Sequence, residues 1–142
     1  MNAENKPHTT NYYNTFIEVA PDYELGSFQI PVAKNDKKTI AIMQYEMLAK
    51  NPYRFTSDDV LFQVYADKNE LTKAEYATAR AAFFSKGQAC LRASPLTKKQ
   101  GFGIHANAEG KIALVGLGTK EYDALLANKM VNKVKAMRSS KQ

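Results

Sequence analysis

The chain is poor in cysteine, because Cys90 is the only one among its 142 residues. A single thiol excludes an internal disulfide framework and every zinc site built from several cysteines. No group of histidines and acidic residues has the spacing of metal ligands either, so neither a metal nor another cofactor is expected. Cysteine usage of this kind is typical of the reducing cytoplasm, where we expect the protein to act.

Long apolar runs are missing as well. The first residues, MNAENKPHTTN, hold no apolar stretch, so no secretory signal is expected, and no run elsewhere is long enough to span a bilayer. A chain of 142 residues has the length of a single domain. We expect this domain over residues 11–138, with a disordered tail over residues 1–10 and a disordered end over residues 139–142. The sequence leaves the oligomeric state open.

Acidic residues become scarce in the second half of the chain. Residues 1–71 carry a charge balance of −3, residues 72–142 carry +9, and no acid follows Asp123. Surplus lysine and arginine attract phosphate backbones and acidic proteins. The pattern favours a non-catalytic binding module for nucleic acid or an acidic protein, and a solvated surface without a partner is the alternative. The proposed basic surface comprises Arg92, Lys98, Lys99, His105, Lys111 and the cations of residues 129–141.

Helical patterns occupy four segments. In two of them a capping box marks the first turn, with Thr56 paired to Asp59 and Thr72 paired to Glu75. An alternation of apolar residues after Thr56 also fits a strand, but the capping box favours a helix. The predicted helices cover residues 39–51, 56–69, 71–87 and 119–128.

Extended patterns predict the strands. β-branched, aromatic and alternating residues indicate strands over residues 15–20, 89–93, 101–106 and 111–116. The last two flank a turn that contains Gly110 and form a hairpin. Residues 129–138 fit either a helix or a strand. Helices mixed with an antiparallel hairpin indicate an α+β fold, in which a small antiparallel sheet packs with three or four helices.

The stretch SKGQACLRASPLTKKQGFGIH, residues 85–105, gathers side chains that carry chemistry. On a strand, Cys90 and Arg92 point to the same face, and pairing with a second strand brings His105 near them. A thiol beside a cation becomes a nucleophile, and an arginine binds carboxylate or phosphate groups. The second hypothesis is therefore an enzyme or a small-ligand-binding protein. Its site lies around Cys90, Arg92, Ser94 and His105, with no catalytic role assigned to any of them.

Structural roles compete for each of these side chains. A lone cysteine is most often a buried apolar filler, and Arg92 can instead form an ion pair with Asp58 or Asp59. In GFGIH, the histidine alternates with a phenylalanine and an isoleucine. If these two apolar residues face the core, His105 faces solvent or a cleft floored by glycines.

Three phrases, TSDDVLFQVYA, FFSKGQACLRASPL and GFGIH, carry a family resemblance. With them the chain resembles an uncharacterised family of small, single-domain, mostly bacterial proteins, classified as a domain of unknown function. The resemblance runs from about Asn11 to Arg138. It implies a stand-alone domain and supplies no catalytic residues for this chain.

Overall fold

The structure is a computed structural model that describes residues 7–33, 35 and 37–139. Within these residues, four strands form one sheet and five α-helices pack around it, which confirms the predicted α+β class. In chain order the elements are β1 (Thr15–Glu18), α1 (Ile40–Lys50), α2 (Ser57–Lys68), α3 (Tyr76–Phe83), α4 (Pro95–Lys98), β2 (Phe102–Ala106), β3 (Ile112–Gly116), α5 (Lys120–Ala127) and β4 (Asn132–Lys135). Four of the helices lie in the segments that the sequence predicts, and α4 adds a single turn.

The strand order across the sheet is β3-β2-β1-β4. The predicted hairpin forms β2 and β3, and β1 pairs antiparallel with β2. The sheet is mixed, however, where the sequence predicted an antiparallel one, because β4 runs parallel to β1. Residues 129–138, which the pattern left open between helix and strand, supply this edge strand. A parallel arrangement needs a crossover connection, and α5 provides it between β3 and β4.

Side-chain caps determine where the helices begin. Thr56 Oγ1 accepts a hydrogen bond from the Asp59 amide at 3.1 Å, and Asp59 Oδ2 accepts one from the Thr56 amide at 3.0 Å, so the predicted capping box at α2 is confirmed. Thr39 and Thr119 cap α1 and α5 through their hydroxyl oxygens. Among the described residues, no helix combines the length and apolar composition required to cross a membrane.

Both faces of the sheet are covered. On one face, Ile17 and Ile104 pack in a core with Leu48 of α1 and Val60 of α2. On the other face, Phe16 meets Tyr122 of α5, with ring centroids 4.8 Å apart at an interplanar angle of 76°. The alternation along each strand therefore separates the α1–α2 side from the α5 side.

The predicted strand over residues 89–93 is wrong. Residues Leu91–Ala93 form a 3₁₀ turn instead, held by hydrogen bonds from Ala93 N to Cys90 O and from Ser94 N to Leu91 O. Leu91 is 1% exposed and anchors the turn in the core, whereas Ser94 starts α4 by capping the Leu96 amide. Tertiary packing of one leucine and the cap that follows it thus override a short alternating pattern, which is a weak signal by itself.

The sequence predicts disorder at both chain ends. Residues 1–6 and 140–142 lie outside the described residues. Residues 7–10 lie against the domain: the His8 amide donates to Phe84 O at 2.8 Å, and the Thr10 amide donates to Asp58 Oδ1 at 2.7 Å. Ser139 is also held, because its amide and hydroxyl donate to the Asp22 carboxylate.

Candidate functional site

Cys90 and Arg92 lie together beside the sheet edge formed by β4. The Cys90 thiol is half-buried, and its Sγ lies 3.5 Å from Tyr12 Oη. Arg92 Nε donates to the backbone oxygen of Lys135 at 2.6 Å, and Arg92 O accepts from the Met137 amide at 2.8 Å. Arg92 thus ties the 3₁₀ turn to β4.

The carboxylates considered as partners of Arg92 are engaged elsewhere. Asp59 forms an ion pair with Arg80 at 3.0 Å. Burial, the largest influence, raises the pKa of Asp59, but hydrogen bonds from Thr56 and Arg80 outweigh it and leave the pKa below its ordinary value. Asp58 binds the N-terminal segment through Thr9 and Thr10.

Ser94 has a structural role. Its side chain is buried, its hydroxyl donates to Gln44 Oε1 at 2.6 Å, and its oxygen accepts the Leu96 amide at 3.0 Å. Both the donor and an acceptor position are therefore used within the fold, and Ser94 offers no open group to a ligand.

His105 lies on the opposite side of the sheet from Cys90 and Arg92. In the strand register it stands beside Phe16 and Ala113, on the α5 side, whereas Ile104 points into the core that also contains Leu91. The alternation in GFGIH indicated this orientation. The four residues Cys90, Arg92, Ser94 and His105 therefore do not converge on one site.

The predicted basic residues divide between the two ends of the hairpin. Lys98 and Lys99 precede β2, whereas Lys111 precedes β3 at the turn and bridges to Thr56. At the end of the hairpin near Lys98 and Lys99, the backbone oxygen of Thr97 accepts a hydrogen bond from the Ala20 amide. This bond brings α4 against the end of β1. We use the name "sheet-end cations" for the basic residues whose backbone segments meet there: Arg92, Lys98, Lys99, Lys135 and Arg138.

A cavity of about 590 Å³ opens on the α5 side, beside His105. Its walls come from β3, from α5, and from the loops before α1 and after it. Most of the lining is apolar, and the polar side chains are few. The lining residues are Phe28, Pro52, Tyr53, His105, Ala113, Leu114, Val115, Gly116, Thr119, Glu121, Ala124 and Leu125.

Tyr53 and His105 form a pair within this lining. Tyr53 Oη lies 2.8 Å from His105 Nδ1, and the two rings meet edge to face with centroids 5.6 Å apart. The backbone of Tyr53 has a φ of 59°, which a side-chain-bearing residue adopts at a cost of about 1–3 kcal/mol. A hydrogen bond from the Tyr53 amide to Ile112 O at 2.8 Å holds it there.

Burial changes the proton affinity of both members of the pair. It lowers the pKa of His105 and raises the pKa of Tyr53. At neutral pH the imidazole is therefore neutral and the phenol keeps its proton. In the tautomer that accepts from Tyr53 at Nδ1, the imidazole carries its own proton on Nε2, and His105 is then a hydrogen-bond donor on that side.

Sequence reasoning missed several cavity residues. Tyr53 follows Asn51-Pro52, which the sequence indicates only as a helix stop, and Phe28 lies in a segment with the pattern of a loop. The available sequence signal was an aromatic residue directly after a helix-ending proline. In the structure, residues 53–56 join the hairpin through the bridge between Thr56 and Lys111. Within the described part of the chain, no three histidine, cysteine or acidic side chains come together as metal ligands.

Comparison with known proteins gives one assignment. No curated protein and no solved structure matches the chain. A family model does match it over residues 7–142, which includes every element described above. The chain therefore belongs to the family of unknown function DUF6157.

Proposed function

We propose that the protein binds a small, largely apolar molecule in the cavity beside His105. The observation that carries this proposal is the Tyr53–His105 pair, two hydrogen-bonded polar groups set in a mostly apolar wall. Ligand pockets are typically about 300–1,000 Å³, with apolar linings and a few polar groups that orient the ligand. The cavity has this size and this composition.

Two further properties of the pair support a binding role. Titratable groups with displaced pKa values in a cleft are enriched at functional sites, and so are residues with strained backbone. Tyr53 has both properties, and His105 has the first. The Nε2–H group of His105 and the oxygen of Tyr53 together present one donor and one acceptor to a ligand.

The proposal is binding, without a chemical step. Neither Cys90 nor Ser94 lies in the cavity lining, so the pair has no thiol beside it and the buried serine is out of reach. Of the alternative site predicted around Cys90, Arg92, Ser94 and His105, only His105 belongs to the proposed binding cavity, where its neighbour is Tyr53.

The test is a fragment screen followed by ¹H–¹⁵N NMR, with shift changes expected at Tyr53, His105 and residues 113–115. Ala124 is exposed on α5 and lines the cavity, so Ala124→Trp should fill it without disturbing the core. Ala127→Trp, at an exposed position of α5 outside the lining, is the matched control. We expect binding to be lost in the first variant and kept in the second. Equal binding in both, or shift changes confined to other surfaces, would contradict the proposal.

A second candidate function is attachment to a phosphate-bearing or acidic partner, either nucleic acid or an acidic protein. The specific observation concerns the sheet-end cations. The ion pairs formed among described residues are Lys38–Glu46 and Arg80–Asp59, and no sheet-end cation takes part in either. Asp22 lies in the same region, where it accepts hydrogen bonds from Ser139.

Salt dependence tests this second candidate. A labelled single-stranded oligonucleotide and a polyglutamate peptide serve as probes in fluorescence anisotropy at several salt concentrations. Replacing Lys98 and Lys99 with glutamine should lower the slope of log affinity against log salt by about 1 for each phosphate that the variant no longer binds. Lys111→Gln, at the other end of the hairpin, is the control and should leave the slope unchanged. Equal effects of both changes would remove the sheet-end surface from consideration.

A further inference from the structure

The outer edge of β3 is open at Leu114. In an antiparallel pair, successive residues point their backbone groups alternately toward and away from the partner strand. Hydrogen bonds from Asn107 N to Lys111 O and from Leu117 N to Gly101 O fix this alternation at the two ends of the hairpin. Residues 113 and 115 therefore bond to β2, and residues 112, 114 and 116 point away from it.

Neighbouring segments cover the edge on either side of residue 114. Ile112 O accepts from the Tyr53 amide at 2.8 Å, and Ile112 N donates to Phe55 O at 2.9 Å. At the other end, Gly116 O accepts from the hydroxyl of Thr119 at 2.8 Å. Among the hydrogen bonds of the described residues, none reaches the outward N–H or C=O of Leu114. Residue 114 therefore has one backbone donor and one backbone acceptor without a partner among the described residues.

This gap coincides with the cavity, because Leu114 is part of the lining. Phe28 closes the far end: its amide donates to Leu117 O at 3.2 Å, and its ring lies over Gly116. The opening thus accommodates one residue of a ligand and not an added strand. A single residue that offers both an N–H and a C=O can exchange two hydrogen bonds with Leu114, as residues of paired strands do.

The charge of the cavity lining further restricts which ligands the cavity can bind. It contains the carboxylate of Glu121 but no lysine or arginine, although the chain as a whole has a net charge of +6. An anionic group entering the cavity would meet a carboxylate without a compensating cation, whereas an ammonium group would be attracted to it.

Building on the proposed function, we propose that the cavity takes an apolar amino-acid residue with a free amino group and a carbonyl. Leu114 N–H donates to the carbonyl, Leu114 O accepts from the amino group, and Glu121 balances its charge. The apolar side chain packs against Phe28 and Leu125. Amino-acid amides and the amino termini of peptides are the two sources of this chemistry.

Three matched probes test the charge: leucyl-alaninamide with a free amine, its N-acetyl form and its N-succinyl form. Dissociation constants are measured by NMR titration at about pH 7.5, where His105 is neutral. We expect the free amine to bind best and the succinyl form worst. Exposed ion pairs contribute up to about 1 kcal/mol, so the free amine should exceed the acetyl form by about two- to fivefold.

Variants of α5 test the role of Glu121. Glu121→Gln should abolish the preference for the free amine over the acetyl form. Asp123→Asn, another exposed acid in the same first turn but outside the lining, is the matched control and should keep the preference. Both are surface changes that leave the core intact. A preference that survives Glu121→Gln, or tighter binding of the succinyl form, would overturn the assignment.

Further measurements distinguish the two ligand sources from each other. They also distinguish a failure of this inference from a failure of the proposed function. Leucinamide binding as tightly as leucyl-alaninamide identifies an amino-acid amide, and tighter binding of the dipeptide identifies a peptide terminus. If neutral aromatic fragments bind the cavity but none of the amines does, this inference fails and the proposed function stands. If nothing binds in a manner that Ala124→Trp blocks, both fail.

Discussion

The hydroxyl of Tyr53 lies 2.8 Å from Nδ1 of His105, and this bond joins the loop after α1 to β2 across the wall of the cavity. A neutral imidazole can accept this bond at Nδ1, whereas a protonated imidazole donates its Nδ1–H to the Tyr53 oxygen. The direction of the bond therefore follows the protonation of His105.

We expect stability to fall at mildly acidic pH because of His105. Burial lowers its folded-state pKa below the ordinary 6.5, so the unfolded chain takes up a proton at a higher pH than the folded one. The unfolding free energy therefore decreases as pH falls from about 7 through the folded-state pKa. Tyr53 faces His105, and Glu121 lines the same cavity.

Urea unfolding of the wild type and of His105→Gln at several pH values checks this expectation. The variant should lose part of the pH dependence in that range. Tyr53→Phe keeps the aromatic ring against His105, so the pKa of His105, followed by NMR of its ring protons, should stay below 6.5, because burial is what lowers it. An unchanged pH profile in His105→Gln would contradict the expectation.

Gly103→Ala should destabilise the protein by about 1–3 kcal/mol. An added Cβ would lie 2.6 Å from the ring of Phe16 and 2.9 Å from Ile17 O, and neither the buried ring nor the backbone can move away easily. Gly26→Ala is the control, because nothing lies within 4 Å of its added Cβ. Chemical denaturation of both variants gives the comparison, and equal stability would show that β1 and β2 can separate locally.

Asp58→Ala should release the N-terminal segment from α2. The carboxylate accepts from the Thr9 hydroxyl and from both the amide and hydroxyl of Thr10, each at 2.7 Å. The Thr9 hydroxyl and the Thr10 amide lose this acceptor, whereas the Thr10 hydroxyl keeps Ser57 Oγ at 2.8 Å. We expect a loss of about 2–3 kcal/mol and faster amide exchange at Thr10. Asp67→Ala, an exposed position on the same helix, should change stability by less than about 0.5 kcal/mol. Unchanged exchange at Thr10 would contradict this account.

Cys90 should react slowly with a thiol reagent in the native protein, because its side chain is half-buried and in contact with Tyr12. Tyr12→Ala should speed the reaction by uncovering the sulfur, and unfolding in urea should speed it further. The rate of colour formation with an aromatic disulfide at neutral pH measures this. Native labelling as fast as that of the unfolded chain would restore Cys90 as a reactive group.

Features determined by local chemistry could be predicted from the sequence. The capping threonines place the starts of α2 and α5, Asn51-Pro52 ends α1, and the turn at Gly110 defines the hairpin. These signals depend on hydrogen bonds and backbone preferences within a few residues, so they act whatever the surroundings.

Features determined by distant contacts could not be predicted. Residues 89–93 alternate like a strand, but burial of Leu91 and the cap at Ser94 make them a turn. Residues 132–135 become a strand only because β1 offers a free edge. The cavity escaped prediction for the same reason, since Tyr53, His105 and Glu121 come from three separate segments that only the fold brings together.

The pairing of β1 with β4 has a consequence for synthesis on the ribosome. Thr15 stands beside Asn132, so the neighbour of the first strand is translated more than a hundred residues later. Until then one side of β1 has no partner, and a nascent chain with such an open edge is exposed to association with other chains. Contacts this distant in sequence also slow folding, so the sheet is completed late.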